Sequence, residues 1–213
     1  MTTIKNDNSV LLSLLPTITK LASAFNDIPA YRKVILDEVT EFVSQQRGVN
    51  QKVNLNFICT HNSRRSHIAQ IWAQTAARYY GIANVHCYSG GTEATAFNPR
   101  AVKAMKESGF DIQISEAGSN PVYSVKFSNE MDPLTVFSKK YDDAFNPNND
   151  FAAIMTCSHA DENCPLVLGA TKRIALTYND PKDFDGTPQE AEKYTERVHE
   201  IGREILFAFS QVR

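Results

Sequence analysis

Hydrophobic positions along this chain change their spacing several times, and each change marks an element. Residues 9–25 are apolar at near-helical spacing, and Pro16 inside them predicts a kink or break, since its ring nitrogen cannot donate a helix hydrogen bond. Asp27-Ile28-Pro29 predicts a second helix start with Pro29 in the first turn. Tyr31, Ile35, Val39 and Phe42 then recur on one helical face, and Gly48 marks the stop. From Val53 to Ile58 the pattern alternates and then turns apolar, as in a strand entering a core, and it ends at Cys59. Residues 65–80 predict a helix with Ile68, Ile71, Trp72 and Ala76 inward and Gly81 as its stop. A second strand over 85–89 runs into Gly90-Gly91, and Asn98-Pro99 opens a helix reaching Gly109. Residues 151–156 read as a third strand ending at Cys157, and 173–176 as a short fourth. A final helix over about 188–212 carries Tyr194, Val198, Ile201, Ile205 and Phe209 on one face. Strands alternating with helices predict a parallel sheet covered on both faces.

Two stretches fall outside that rhythm. Residues 1–50 read as an N-terminal helical extension ahead of a catalytic domain over 51–213, serving packing or a partner surface. Within residues 114–150, Tyr123, Val125 and Phe127 alternate and Leu134-Thr135-Val136-Phe137 follows a polar turn, which predicts a β-hairpin insertion.

Composition narrows the class. With 213 residues, 42% of them hydrophobic, the chain can bury one α/β core plus an appendage. A formal net charge of -2 gives no bulk electrostatic reason to bind nucleic acid. No apolar run approaches the ~20 residues that cross a bilayer. Residues 10–15 are apolar and Ala22-Ser23-Ala24 resembles a cleavage site, but Asp7 offsets Lys5 and both Pro16 and Lys20 interrupt the run, so a signal peptide is not expected. The expectation is a cytoplasmic protein. Its four cysteines, Cys59, Cys87, Cys157 and Cys164, are too sparse for a disulfide scaffold and point to thiol chemistry, a metal, or burial. Cys87, mid-strand, reads as buried.

Candidate chemistry concentrates in Cys59-Thr60-His61-Asn62-Ser63-Arg64-Arg65-Ser66. A loop between strand and helix can turn its N–H groups inward as an anion nest. The helix beginning near Arg65 adds the positive end of its dipole, and the Arg65 fork matches two oxygens of a tetrahedral anion. The same field stabilises a thiolate and makes Cys59 a nucleophile at neutral pH. Ser66 is placed to donate to that sulfur, and Asn62 to hold the tight turn. The competing reading is a buried cysteine at a strand end. For Cys157 and Cys164, a zinc site with His159 and inert buried thiols both stay open.

Cys-x5-Arg-Ser after a first strand resembles the low-molecular-weight protein tyrosine phosphatase superfamily. Phe57-Ile58 with the loop, residues 98–106, Met155-Thr156-Cys157 and Cys164-Pro165 are more similar to its thioredoxin-coupled arsenate reductase branch. The resemblance covers residues 52–113 and 150–210. It implies a three-layer α/β/α fold with a central four-stranded parallel sheet, and Thr60, His61, Asn62, Ser63, Arg64, Arg65 and Ser66 around a small oxyanion, arsenate or a phosphate ester. It also implies that Cys59 attacks arsenate, that Cys157 attacks Cys59, and that Cys164 then moves the disulfide out to thioredoxin. It makes Asp180 of Asp180-Pro181 the general acid, with Asp183 and Asp185 nearby; taken alone, Asn-Asp-Pro is also a good turn. No cofactor or resident metal is implied.

The chain departs from the family at four places. His61 replaces the usual Gly, so a left-handed backbone is expected at His61. Arg64 stands where many relatives carry cysteine and adds charge at the anion site. Lys182 replaces an aromatic common in the phosphatase branch. Gln70 stands where some reductases carry a Glu associated with potassium. Three functions follow: arsenate reductase, phosphatase through a Cys59 phosphocysteine, or a non-catalytic oxyanion-binding module.

Overall fold

The structure, a computed structural model, describes residues 9–163 and 166–213. Along the chain run α1 (Leu15–Ser23), α2 (Ala30–Gly48), β1 (Val53–Cys59), α3 (Arg65–Tyr79), β2 (Val85–Gly91) and α4 (Pro99–Glu107). Three further strands follow, β3 (Asp111–Glu116), β4 (Val122–Lys126) and β5 (Leu134–Val136). The chain continues through β6 (Phe151–Met155), the short α5 (Ser158–Asn163), β7 (Ala170–Ala175) and α6 (Glu190–Ser210).

Four parallel strands in the order β2-β1-β6-β7 form the central sheet. β6 is buried on both faces and is apolar throughout, whereas β1 keeps two asparagines, of which the buried Asn56 donates to Tyr141 O at 3.1 Å. Val53, Leu55 and Phe57 of β1, with Ala152 and Ile154 of β6, join the large cluster under α1, α2, α3 and α6. Ile58, Ala153 and Met155 point the other way, into a smaller cluster closed by Ala160 of α5, Val167 and Tyr141. The result is the three-layer α/β/α arrangement with four parallel strands that the resemblance implies. The inward faces expected of the 65–80 and C-terminal helices, including Trp72 and Phe209, are fully buried. Their contact is close enough to need Gly202, where a Cβ would lie 2.6 Å from Trp72 Cε2.

Several local expectations change. Pro16 does not kink a helix; it starts α1, after a 3-10 turn over Leu12–Leu14, where a missing N–H costs nothing. Pro29 is the residue preceding α2, outside its first turn. Tyr31 is 69% exposed, and the buried stripe of α2 is Arg32, Leu36, Val39, Phe42 and Val43. A charged residue lies in that stripe because α6 supplies its counter-ion. Arg32 Nε and Nη2 hold the Glu204 carboxylate at 2.9 and 2.6 Å. Its Nη1 reaches Thr177 O at 3.0 Å. The insertion contains the β4–β5 antiparallel hairpin, but β3 pairs with β4 as well, so the small sheet begins at Asp111, ahead of residue 114.

Candidate active site

The chain leaves β1 toward β2 and leaves β6 toward β7, so the C-terminal ends of these neighbouring strands open into diverging loops. Open α/β sheets bind ligands at such switch points. Cys59 ends β1, and Cys157 lies two residues past β6 beside it.

The loop between β1 and α3 is held from outside by its carbonyls. Cys59 O accepts from Thr92 N at 3.1 Å, and Thr60 O from Glu93 N at 2.8 Å. His61 O accepts from Ser138 Oγ at 3.0 Å and from Thr95 Oγ1 at 3.2 Å. Ser63 O accepts from Asn98 N at 2.8 Å. Among the described residues, none receives a hydrogen bond from the backbone N–H of Thr60, His61, Asn62, Ser63 or Arg64. Such a run of unspent donors, continuous with the N-terminus of α3, has the makings of an anion nest. Gly91 permits the close approach of β2: a Cβ there would meet Thr60 O and Asn62 N at 2.7 Å each.

The left-handed backbone expected at His61 falls at Asn62 instead, with φ 44°. Asn62 tolerates that conformation because its short amide is engaged on both sides. Its Oδ1 accepts from Lys139 N at 2.9 Å, which fixes the amide orientation, and its Nδ2 donates to Ser66 Oγ at 2.8 Å. The Ser66 hydroxyl, accepting there, has its own proton left for Cys59 Sγ at 3.1 Å. Cys59 is 4% exposed. The His61 imidazole points away from the nest and faces Glu93 at 3.6 Å.

Arg65 offers its fork at the mouth. Nη2 donates to Asp180 Oδ2 at 2.7 Å and Nη1 to Tyr178 O at 2.8 Å, while the buried Nε–H is without a partner among the described residues. Asp180 caps the short turn Pro181–Phe184 through Lys182 N at 3.1 Å. Arg64 does not add a free charge to the nest. Its Nε donates to Tyr194 OH at 3.0 Å, and the guanidinium lies 3.8 Å from Asp180 and 3.9 Å from Asp185. Tyr194 in turn donates to Asp185 Oδ1 at 2.8 Å, and burial, with that carboxylate, pushes its phenol up to about 12. Asp183 is exposed, and Asp185 serves Tyr194 and the arginines.

Cys157 is free, 1% exposed, and 3.4 Å from Thr60 Oγ1; His159 Nδ1 is 3.3 Å from the same hydroxyl. Cys164 lies outside the described residues. Among those described, no three potential metal ligands gather. Gln70 lies buried behind the loop, with Nε2 donating to Cys87 O at 3.0 Å. Burial raises the Cys87 thiol and so keeps it protonated. Beside Gln70, burial and the nearby Lys139 hold His67 well below its ordinary range. Lys139 itself is buried over the Phe137 ring, and desolvation brings it down to about 8. The sequence did not reveal Ser138, Lys139, Tyr178 and Tyr194 as site neighbours; they approach from the insertion, the loop after β7 and α6. The only available signal was that Tyr178 precedes Asn179-Asp180.

A buried thiol at the head of a loop with unspent amides, with an arginine fork and a carboxylate beside it, is an arrangement able to handle an oxyanion in an α/β/α fold. Residues 54–132 match the low molecular weight phosphotyrosine protein phosphatase family. Arsenate reductase from Bacillus licheniformis is 33% identical over 155 residues, covering 72% of this chain and 93% of the relative. Arsenate reductase from Halalkalibacterium halodurans is 34% identical over 158 residues, covering 74% and 94%. The chain belongs to the low molecular weight phosphotyrosine protein phosphatase family and is an enzyme. A low molecular weight phosphotyrosine phosphatase from Vibrio cholerae shares the fold, with TM-score 0.50 and 14% identity over 72% of this chain and 92% of that one. No helix among the described residues is long and apolar enough to cross a membrane.

Proposed function

We propose that this enzyme reduces arsenate to arsenite in the cytoplasm. Cys59 is the nucleophile, Arg65 with the N–H groups of residues 60–65 holds the oxyanion, and Asp180 is the general acid. The Cys59 thiolate attacks arsenic, an oxygen leaves as water with the proton of Asp180, and a Cys59–arsenic adduct forms. Binding of the anion draws the Arg65 fork from Asp180 and leaves that carboxyl at the leaving oxygen. Cys157 then attacks the Cys59 sulfur; arsenite departs with the electron pair, and a Cys59–Cys157 disulfide remains. Cys164 attacks Cys157, and thioredoxin reduces the resulting Cys157–Cys164 bond.

The observation that carries this reading is Cys157 beside the loop, 3.4 Å from Thr60 Oγ1. A phosphatase has no use for a second thiol there, and relatives matching 72% and 74% of this chain are named arsenate reductases. The helix over Ser158–Asn163 adds a requirement. If it continued through Cys164, the two sulfurs' residues would be about 10.5 Å apart along the axis. A disulfide needs Cα atoms within roughly 4.4–6.8 Å, so α5 unwinds on oxidation.

Hydrolysis of phosphate monoesters is the second reading, favoured by the family match and by Asp180 on Arg65. Arsenate-dependent NADPH oxidation with thioredoxin and its reductase, run beside aryl phosphate hydrolysis, separates the two. Cys157→Ser abolishes the first activity and spares the second. Full reductase turnover in Cys157→Ser refutes the relay, and absence of both activities favours a binding module.

A further inference from the structure

Thr60 Oγ1 bridges two side chains, Cys157 Sγ at 3.4 Å and His159 Nδ1 at 3.3 Å. Cys157 is buried and His159 is exposed, so the hydroxyl connects an enclosed thiol to a base that meets water. Cys157 Sγ also accepts from Ala160 N at 3.3 Å, a bond that strengthens when the sulfur becomes an anion. A thiol attacks only after losing its proton, and Thr60 Oγ1 offers a hydrogen-bonded path from this one to an exposed imidazole.

We propose that His159 is a positioning residue that takes the proton of Cys157 through the Thr60 hydroxyl, preparing the second nucleophile. The idea rests on the role given to Cys157 above. Before transfer, the Cys157 S–H donates to Thr60 Oγ1 and the Thr60 O–H donates to unprotonated Nδ1. Afterwards, His159 Nδ1–H donates to Thr60 Oγ1, and the Thr60 O–H donates to the thiolate. The thiolate attacks the Cys59 sulfur, the sulfur–arsenic bond breaks, and its electron pair reduces arsenic(V) to arsenic(III). Two thiol sulfurs become one disulfide, and the proton on His159 leaves to solvent.

Among the described residues, the charged groups around this hydrogen-bonded path are these. α5 packs chiefly on β1 and β6, whose only ionisable side chain is Cys59. On α5 itself, Asp161 is held by Arg173 of β7 at 2.6 Å, and Glu162 is exposed. Next to Thr60, His61 faces Glu93.

The test is alkylation of Cys157 by iodoacetamide over a pH series, read by peptide mass, with Cys59 as internal reference. Ultraviolet thiolate absorbance, taken as the difference between each variant and its Cys157→Ser partner, gives the ionised fraction without needing reagent access. His159→Ala is expected to slow Cys157 alkylation about tenfold at neutral pH, to move the midpoint up, and to converge with wild type at alkaline pH. Thr60→Val behaves alike, and Thr60→Ser restores the wild-type profile. Superimposable profiles overturn the proposal, as does a parallel loss at every pH, which marks packing alone. No arsenate is turned over in this measurement, so a failure of arsenate reduction and a failure of the relay are read separately.

Discussion

Arg32→Met keeps much of the side-chain volume but removes the counter-ion of Glu204, whose side chain is 2% exposed. In the native protein the carboxylate receives two charge-assisted bonds, at 2.9 and 2.6 Å. Stranding a buried charge costs about 3–5 kcal/mol, against a total stability of roughly 5–15 kcal/mol for a domain. With a urea dependence of about 2 kcal/mol per molar, the unfolding midpoint should fall by roughly 2 M. Arg32→Met/Glu204→Leu should recover most of the loss, because no charge is then left without a partner. Activity should respond as well. Arg32 Nη1 holds Thr177 O at 3.0 Å, its guanidinium lies 4.9 Å over the Tyr178 ring, and Tyr178 O anchors Arg65. Under conditions where Arg32→Met remains folded, kcat should drop and the double variant should not restore it. A loss below about 1 kcal/mol in urea would falsify the buried brace between α2 and α6.

The folded value of Lys139, about 8, lies below its ordinary 10.5, so between those values the unfolded chain binds more protons. Stability therefore rises with pH across that window and is lost as pH falls through it, by roughly 3 kcal/mol in all. Lys139→Met should remove that slope, as measured by urea midpoints over the window; an unchanged slope contradicts the assignment. Asn62→Ala loses two hydrogen bonds and keeps a left-handed φ, a cost of about 2–4 kcal/mol, whereas Asn62→Gly should recover the backbone share, about 1 kcal/mol. Equal losses in denaturant melts would show that Asn62 carries no backbone strain. Asp180→Asn should lower kcat for aryl phosphate hydrolysis about a hundredfold with little change in KM, and an intact kcat would remove it as the acid.

The sequence by itself determined the parallel sheet, the helices on it and the loop from Cys59 to Ser66. Strand alternation, helical spacing and a strand–loop–helix junction are encoded within a few neighbouring residues, where local hydrogen bonding and burial act. It even contained the hairpin in the alternation of Tyr123, Val125 and Phe127, though not the third strand, since pairing partners are chosen by the sheet and not by the segment. Tertiary structure alone decided that α2 buries Arg32 and exposes Tyr31, because the partner, Glu204, lies 172 residues away. It likewise brought Cys157 to Thr60 across 97 residues and Asp180 to Arg65 across 115. Strand order sets those distances, and strand order leaves no period in the chain. The insertion contributes Ser138 and Lys139 to the back of the loop for the same reason: their contacts are with His61 and Asn62, and nothing in their own neighbourhood records it.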